Sequence, residues 1–274
     1  MNAQLADKVV LITGASGGIG AAIARQFAAE GAKLVLHGFR NRAALTKLAD
    51  SLPTATLAVR ADLTKEADVK KLFAQAVKQF GRVDTLIANA GAWESASVPL
   101  HEKSLKQWRY TLDGVLTSTF LCAREFFRLV KKHKRGNAVL IGSTAAVFGE
   151  AGHADYAAAK AAMAYGLTRS LKNEIARLAR HTKNYCGGRI NCVCPGWTVV
   201  PRNQARLTDA PMVHKVTATM ALPKIARPAD IASAVVFLSS DALAGHITGQ
   251  TLVIAGGMEG RLLWRPGEVD ATIA

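Results

Sequence analysis

The sequence of 274 residues predicts a doubly wound α/β fold, a parallel sheet covered by helices on both faces. Three observations predict it. Short, continuously apolar runs of β type recur along the chain. Helical stretches alternate with them almost from end to end. No Pro/Gly/Ser-rich linker, internal repeat or low-complexity block interrupts that rhythm. Strands covered on both faces read as unbroken apolar runs, which is the pattern here. Crossovers between them are expected to be right-handed.

The elements follow in order. Val9–Thr13 is a short buried strand, and Ile19–Glu30 a helix that Gly31 ends. Lys33–His37 is the next strand and Arg42–Ser51 a helix. Thr56–Arg60 is a strand, and Glu66–Phe80 a helix closed by Gly81. Thr85–Ala88 is a strand, and a longer helix follows Trp108 to about Lys132. Ala138–Gly142 is a strand, Asp155–Ala179 a long helix, and Ile190–Val193 a strand. Pro228–Ser239 is helical and Thr251–Ile254 is the last strand. The chain reads as one domain, 1–274, with its core over about 8–258. Two segments break the rhythm. Pro201–Pro223 has no clear strand and would form a lid of loop or mobile helices. The tail 259–274 carries Trp264 and Pro266 and has no place in the sheet.

Composition bounds the function classes. Half of the residues are apolar, and a chain of this size buries roughly 75% of its extended surface, so it needs neither disulfides nor a metal to fold. Four cysteines, Cys122, Cys186, Cys192 and Cys194, are too few and too irregular for a disulfide framework. Reduced thiols in a cytoplasmic protein are expected, and no metal site. The N-terminal residues Met1 to Leu11 lack the apolar core of a signal peptide. No apolar run approaches the ~18 residues of a membrane span.

The formal charge of +15 raises nucleic acid and anionic partners. Arg124, Arg128, Lys131, Lys132, Lys134 and Arg135 form one basic run. Arg169, Lys172, Arg177, Arg180, Lys183 and Arg189 form a second. Both lie near predicted helix ends, where cations suit the dipole. Neither belongs to a recognisable nucleic-acid module. A solvated basic face is expected, with attraction of an anionic substrate or acyl carrier as the alternative.

The first strand runs into Thr13-Gly14-Ala15-Ser16-Gly17-Gly18-Ile19-Gly20, where a helix opens. Glycines let the backbone approach a pyrophosphate, and the helix N-terminus offers free N–H groups to that anion. In an NAD site a carboxylate at the end of the second strand would bind the adenosine ribose. That position is Gly38, and no acidic residue lies nearby. Arg40 and Arg42 suit a 2′-phosphate instead. NADP(H) is therefore favoured over NAD(H), against the reading of these arginines as ordinary surface cations.

Tyr156 and Lys160 stand four apart on a predicted helix and so share a face. A free phenol titrates near pKa ~10, and a nearby ammonium favours the phenolate. Ser143 lies just past the strand Ala138–Gly142, at the strand end where parallel sheets bind ligands. Its hydroxyl, or that of Thr144, could donate to a carbonyl oxygen that gains charge. By itself Ser143 also reads as a turn cap.

These motifs together resemble the short-chain dehydrogenase/reductase family, and the resemblance runs from about Lys8 to Met258. It is nearest in kind to the 3-oxoacyl-[acyl-carrier-protein] reductases. The glycine spacing, with Thr in front, is the family's. Asp62-Leu63 looks like its adenine contact, and Asn89-Ala90-Gly91 like its NNAG segment with Ala88 for the first Asn. Pro195-Gly196 looks like the segment that meets the nicotinamide. Arg227-Pro228, Thr248-Gly249-Gln250 and Gly256-Gly257 match its C-terminal pattern. The resemblance implies a Rossmann-type fold and hydride transfer between a nicotinamide and a carbonyl or secondary alcohol. In it Ser143 polarises the carbonyl, Tyr156 passes the proton, and Lys160 holds the ribose. It also implies a homodimer or homotetramer through the helices at Asp113–Lys132 and Asp155–Ala179. A 3-oxoacyl thioester reductase working on a carrier is a narrower reading. A nicotinamide-binding regulator with little turnover is a different one.

Two positions depart from the family. Val115 stands where an Asn usually holds a water of the proton relay, and Asp113 and Thr117 are expected to point elsewhere. Val200 stands where a Thr often faces the nicotinamide amide, a contact that Thr198 would supply instead. Candidate substrate contacts are Ala92, Trp93, Thr144, Ala145, Trp197 and the lid. The lid mixes Leu207, Met212, Val213, Val216 and Met220 with Arg202, Arg206, His214 and Lys215. This suits a moderately apolar substrate with an anionic group. The stretch Ala179–Gly188 has no assigned role.

Overall fold

A computed structural model describes residues 2–183, 185–205, 207, 209–263 and 268. Arg206, Trp264 and Pro266 lie outside the described residues. Seven strands form one sheet: β1 Val9–Ile12, β2 Lys33–Gly38, β3 Thr56–Arg60, β4 Thr85–Ala88, β5 Arg135–Ile141, β6 Gly187–Pro195 and β7 Thr251–Ile254. All pairings are parallel, in the order β3-β2-β1-β4-β5-β6-β7. The order reverses between β1 and β4, which opens a crevice at their C-terminal ends.

The side-chain alternation of β1 shows how the sheet is covered. Val9 and Leu11 face one core, with Val69, Leu72, Phe126 and Met163. Val10 and Ile12 face the other, with Ile23, Phe27, Ile231 and Val235. Helices α3 Glu66–Phe80 and α5 Ser118–His133 cover the first face, and α1 Gly18–Ala29 and α10 Pro228–Ser239 the second. Between them in the chain lie α2 Arg42–Asp50, α4 Leu105–Leu112, α6 Ala145–Phe148, α7 Ala154–Ala161, α8 Thr168–Leu178 and α9 Ala210–Thr217. The short α11 Asp241–Ala244 precedes β7.

Several expected boundaries shift. The helix expected after Trp108 starts at Leu105, because the Ser104 side chain accepts from the Gln107 N–H and caps it. It is interrupted by a π-type turn over Asp113–Thr117. There Gly114 presses against Ala92, whose N–H donates to the Gly114 carbonyl at 3.3 Å. The helix Asp155–Ala179 is likewise split, by a π-type turn at Ala162–Leu167 between α7 and α8. Hydroxyls repair the loosened ladders. Ser118 donates to Gly114, Thr119 to Val115 and Thr168 to Met163. Apolar runs also understate β5 and β6, whose register continues outward through Arg135↔Gly187 and Gly136↔Gly188.

The lid segment contains α9, and its end is strapped to the chain after β7. The Leu222 N–H donates to the Gly256 carbonyl at 2.8 Å, and the Glu259 N–H to the Thr219 carbonyl at 3.0 Å. The stretch after α8 doubles back on itself, with Arg180 bridged to Cys186. Arg189 is not part of a solvated face. It is buried, pairs with Asp241 at 2.8 Å, and donates to the Leu238, Ser240 and Ile247 carbonyls. A guanidinium has enough donors to close the end of β6 against three carbonyls at once.

Candidate active site

The glycine turn leaves β1 at Thr13. Gly14 adopts φ 65°, a conformation that suits a residue without Cβ. A Cβ on Gly20 would collide with the Gly14 carbonyl, so α1 can begin directly against the turn. No side chain caps α1. Its first-turn N–H groups therefore remain for an anion, as a bound pyrophosphate requires. Asn89, after β4, clamps the turn from the side, its Nδ2 donating to the Thr13 and Gly14 carbonyls at 3.0 and 3.1 Å. Thr13 Oγ1 in turn accepts from the Asn89 and Ala90 N–H groups, each at 2.9 Å.

At the end of β2, a Cβ on Gly38 would lie 3.2 Å from Ser16 Oγ, so the missing side chain leaves room beside the turn. Arg40 is exposed, and its Nη2 donates to the Tyr110 hydroxyl at 2.6 Å. Arg60 donates to the Phe39 carbonyl and stacks over the Phe39 ring at 5.7 Å. Asp62 accepts from Thr64 and sits after β3, with Leu63 buried beside it. The β2 edge thus carries cations, and no carboxylate replaces Gly38.

At the far side of the crevice, Tyr156 and Lys160 lie on α7 and Ser143 follows β5. A hydrogen bond from the Ser143 side chain reaches the Tyr156 phenol, and burial pushes the phenol up to about 12 despite it. Glu150 raises the phenol further and Arg202 opposes. Ser143 Oγ also accepts from the Ala145 N–H at 3.1 Å, so its role as a turn cap and its contact with Tyr156 coexist. Lys160 is buried, its Nζ 5.8 Å from the Tyr156 ring centroid and donating to the Ile141 carbonyl at 2.5 Å. Burial holds its pKa down at about 8, and the Cys192 and Cys194 thiols resist that fall.

The two halves meet at Gly91. A Cβ there would lie 3.6 Å from Val115 Cγ2 and 4.0 Å from Lys160 Nζ. Val115 is fully buried and brings an apolar side chain to this point. Thr144 N–H donates to the Pro195 carbonyl, and Gly196 N–H to the Ile254 carbonyl. Thr198 is buried and its hydroxyl donates to the Gly196 carbonyl at 3.1 Å. Val200 reaches back over the glycine turn: a Cβ on Gly18 would lie 2.6 Å from Val200 Cγ1.

Of the substrate candidates, Trp93 packs on Tyr156 with ring centroids 4.7 Å apart. Trp197 is half-buried, its carbonyl accepting from the Ala226 N–H. Thr144 Oγ1 accepts from Arg261 at 3.1 Å. One group was not visible in sequence. Lys103 and Asp155 form a buried ion pair at 3.0 Å, and Thr111 donates to Asp155 at 2.7 Å. Burial alone would raise the Asp155 carboxyl. Hydrogen bonds from Thr111, Lys103 and the Tyr156 N–H, with the Lys103 charge, hold it below its usual value. The pair locks the start of α7 one residue before Tyr156. Nothing in the spacing of Lys103 signals this.

Fold and site define a dinucleotide-binding α/β protein built for chemistry at the strand ends of a parallel sheet. The family described as Enoyl-(Acyl carrier protein) reductase matches residues 14–259. The chain is 36% identical over 264 residues to a cis-4-hydroxycyclohexanecarboxylate dehydrogenase of Sinomonas cyclohexanicum, covering 94% of this chain and 98% of that one. It is 32% identical over 257 residues to a 3-oxoacyl-[acyl-carrier-protein] reductase of a Synechocystis species, covering 93% and 98%. It is 34% identical over 262 residues to an L-fucose dehydrogenase of Oryctolagus cuniculus, covering 94% and 87%. The chain belongs to the short-chain dehydrogenase/reductase family, nicotinamide-dependent oxidoreductases acting on alcohol and carbonyl groups. No helix among the described residues is long and apolar enough to cross a membrane. None of the described His, Cys, Asp and Glu side chains group as a metal site.

Proposed function

We propose that this chain is an NADP(H)-preferring carbonyl reductase or secondary-alcohol dehydrogenase that uses Ser143, Tyr156 and Lys160. The carrying observation is the Ser143–Tyr156 hydrogen bond set beside the buried Lys160 ammonium, across Gly91 from the glycine turn. The nicotinamide, when bound, supplies or accepts the hydride. Ser143 orients the carbonyl oxygen. With a pKa near 12, Tyr156 is protonated at neutral pH, the form that can give its proton to that oxygen during reduction. Lys160, with a pKa near 8, remains mostly cationic there and would hold the cofactor ribose. Gly14, Ser16, Gly18, Ile19 and Gly20 would bind the pyrophosphate side, and Arg40, Asp62 and Leu63 the adenosine side. Asn89, Ala90, Gly91, Pro195, Gly196 and Thr198 would line the path to the nicotinamide. We take the chain to be one catalytic unit, a cytoplasmic homodimer or homotetramer assembled through the helical stretches Asp113–Lys132 and Asp155–Ala179.

Tyr156→Phe tests this reading. NADPH binding should persist while turnover falls about 10²–10⁴-fold, the usual contribution of a positioned proton donor. The natural first substrates to screen are 4-hydroxycyclohexanecarboxylate, a 3-oxoacyl thioester and L-fucose, after the relatives' names. Retained turnover in the variant would remove Tyr156 from the chemistry. A second reading, reduction of an acyl group on an acidic carrier, draws on the exposed basic residues Arg128, Lys131, Lys132, Lys134, Arg177 and Arg180.

A further inference from the structure

We propose that Arg202 is the anion anchor of the substrate site, so that the carbonyl or alcohol compounds this chain turns over carry a carboxylate or an equivalent anionic group. This rests on the proposed chemistry at Tyr156 and names its substrate class. The guanidinium of Arg202 stacks 4.3 Å from the centroid of Trp93, and Trp93 stacks 4.7 Å from Tyr156. A charge on the outer layer of this stack is felt at the phenol, whose pKa Arg202 lowers.

Glu150 is partnered by Arg261 at 3.7 Å, and Arg261 is further tied to the Gly149 carbonyl and to Thr144 Oγ1. Arg202 has no carboxylate partner among the described residues. Its position is nonetheless fixed. Asn203 closes the turn that carries it, accepting from the Val200 N–H at 2.8 Å and donating to the Thr198 carbonyl at 3.0 Å. Val200 and Pro201 rest on Gly18. A guanidinium whose face lies on an indole still presents its N–H edge, the geometry that pairs with both oxygens of a carboxylate. The lid cations His214 and Lys215 lie exposed on α9 and make no such stack.

The test uses the full chain saturated with whichever nicotinamide cofactor binds it. Calorimetry compares benzoate with benzamide, a pair alike in shape and different in charge. Wild type should favour benzoate at least about tenfold, the scale of a charge-assisted pair. Arg202→Gln should erase that ratio and Arg202→Lys should restore part of it. Turnover gives a second readout: kcat/KM for a keto acid relative to its methyl ester should fall in Arg202→Gln. An unchanged ratio in Arg202→Gln, or no preference in wild type, overturns the proposal. Failure of the oxidoreductase reading is separate, since it appears as turnover surviving Tyr156→Phe while the benzoate ratio is still measured.

Discussion

On the proposed NADP(H) reading, Arg40 is a cation of the adenosine end whose part a single substitution can weigh. The position that would carry an acidic side chain in an NAD site is Gly38, and the next charged group along is Arg40, held by the Tyr110 hydroxyl. A guanidinium so placed meets a 2′-phosphate with charge-assisted hydrogen bonds and gains nothing from a bare ribose. Arg40→Ala should therefore reduce the preference for NADPH over NADH by about tenfold. Fluorescence titration of both cofactors measures the ratio, and an unchanged ratio would free Arg40 of that role. Val115 is the opposite case. Its side chain can neither donate nor accept, and its carbonyl is taken by Thr119 at 2.7 Å. The departure from the family thus lies in a buried apolar side chain beside Gly91.

Among the elements, the joint between β1, β2 and β3 depends on a buried histidine. His37 Nδ1 accepts from the Gly14 N–H at 3.2 Å, and Nε2 donates to the Ala61 carbonyl at 3.0 Å. Both bonds require the neutral ring with its proton on Nε2. Burial lowers the His37 pKa, while the Ala61 carbonyl and Asp62 act the other way. The sign follows. Below the unfolded value of about 6.5 the unfolded chain takes up a proton that the folded chain refuses, so stability falls as pH falls through that window. Above it both states are neutral and the contribution is flat. Melting temperature should therefore drop as pH is lowered from about 7 to 5.5, and His37→Gln should show a shallower drop. Parallel curves for the two proteins would remove His37 as the cause. The π-type turns at Asp113–Thr117 and Ala162–Leu167 act at the same scale. They join α4 to α5 and α7 to α8, and α5 and α8 contribute Phe126 and Ile175 to the core on one face of the sheet.

Over the whole molecule, the positive charge divides into structural and free parts. Arg189 and Lys103 are buried and paired, and Arg124 and Arg135 meet Glu66 and Asp84. Lys131, Lys132 and Lys134 remain exposed at the end of α5. Free surface charge of one sign acts at a distance and is screened by salt, with a Debye length of about 8 Å at physiological ionic strength. If an acidic carrier delivers the substrate, kcat/KM for the carrier-bound form should fall with added salt several-fold more than for a small thioester analogue. Equal salt dependence would leave those lysines as a solvated face.

The sequence by itself determined the sheet, the glycine turn and the spacing of Tyr156 and Lys160. Unbroken apolar runs admit little but strands covered on both sides, and four residues make one helical turn whatever surrounds them. Only the tertiary structure decided which distant groups meet. Lys103 with Asp155, Asn137 with the Leu238 carbonyl, Arg202 on Trp93, and Val115 beside Gly91 are contacts across crossovers. It also decided the π-type turns, because helical periodicity records which face is apolar and not where a packed neighbour such as Ala92 forces the backbone wide. Local pattern is written residue by residue, whereas the fate of a buried charge depends on what the fold brings to it from elsewhere in the chain.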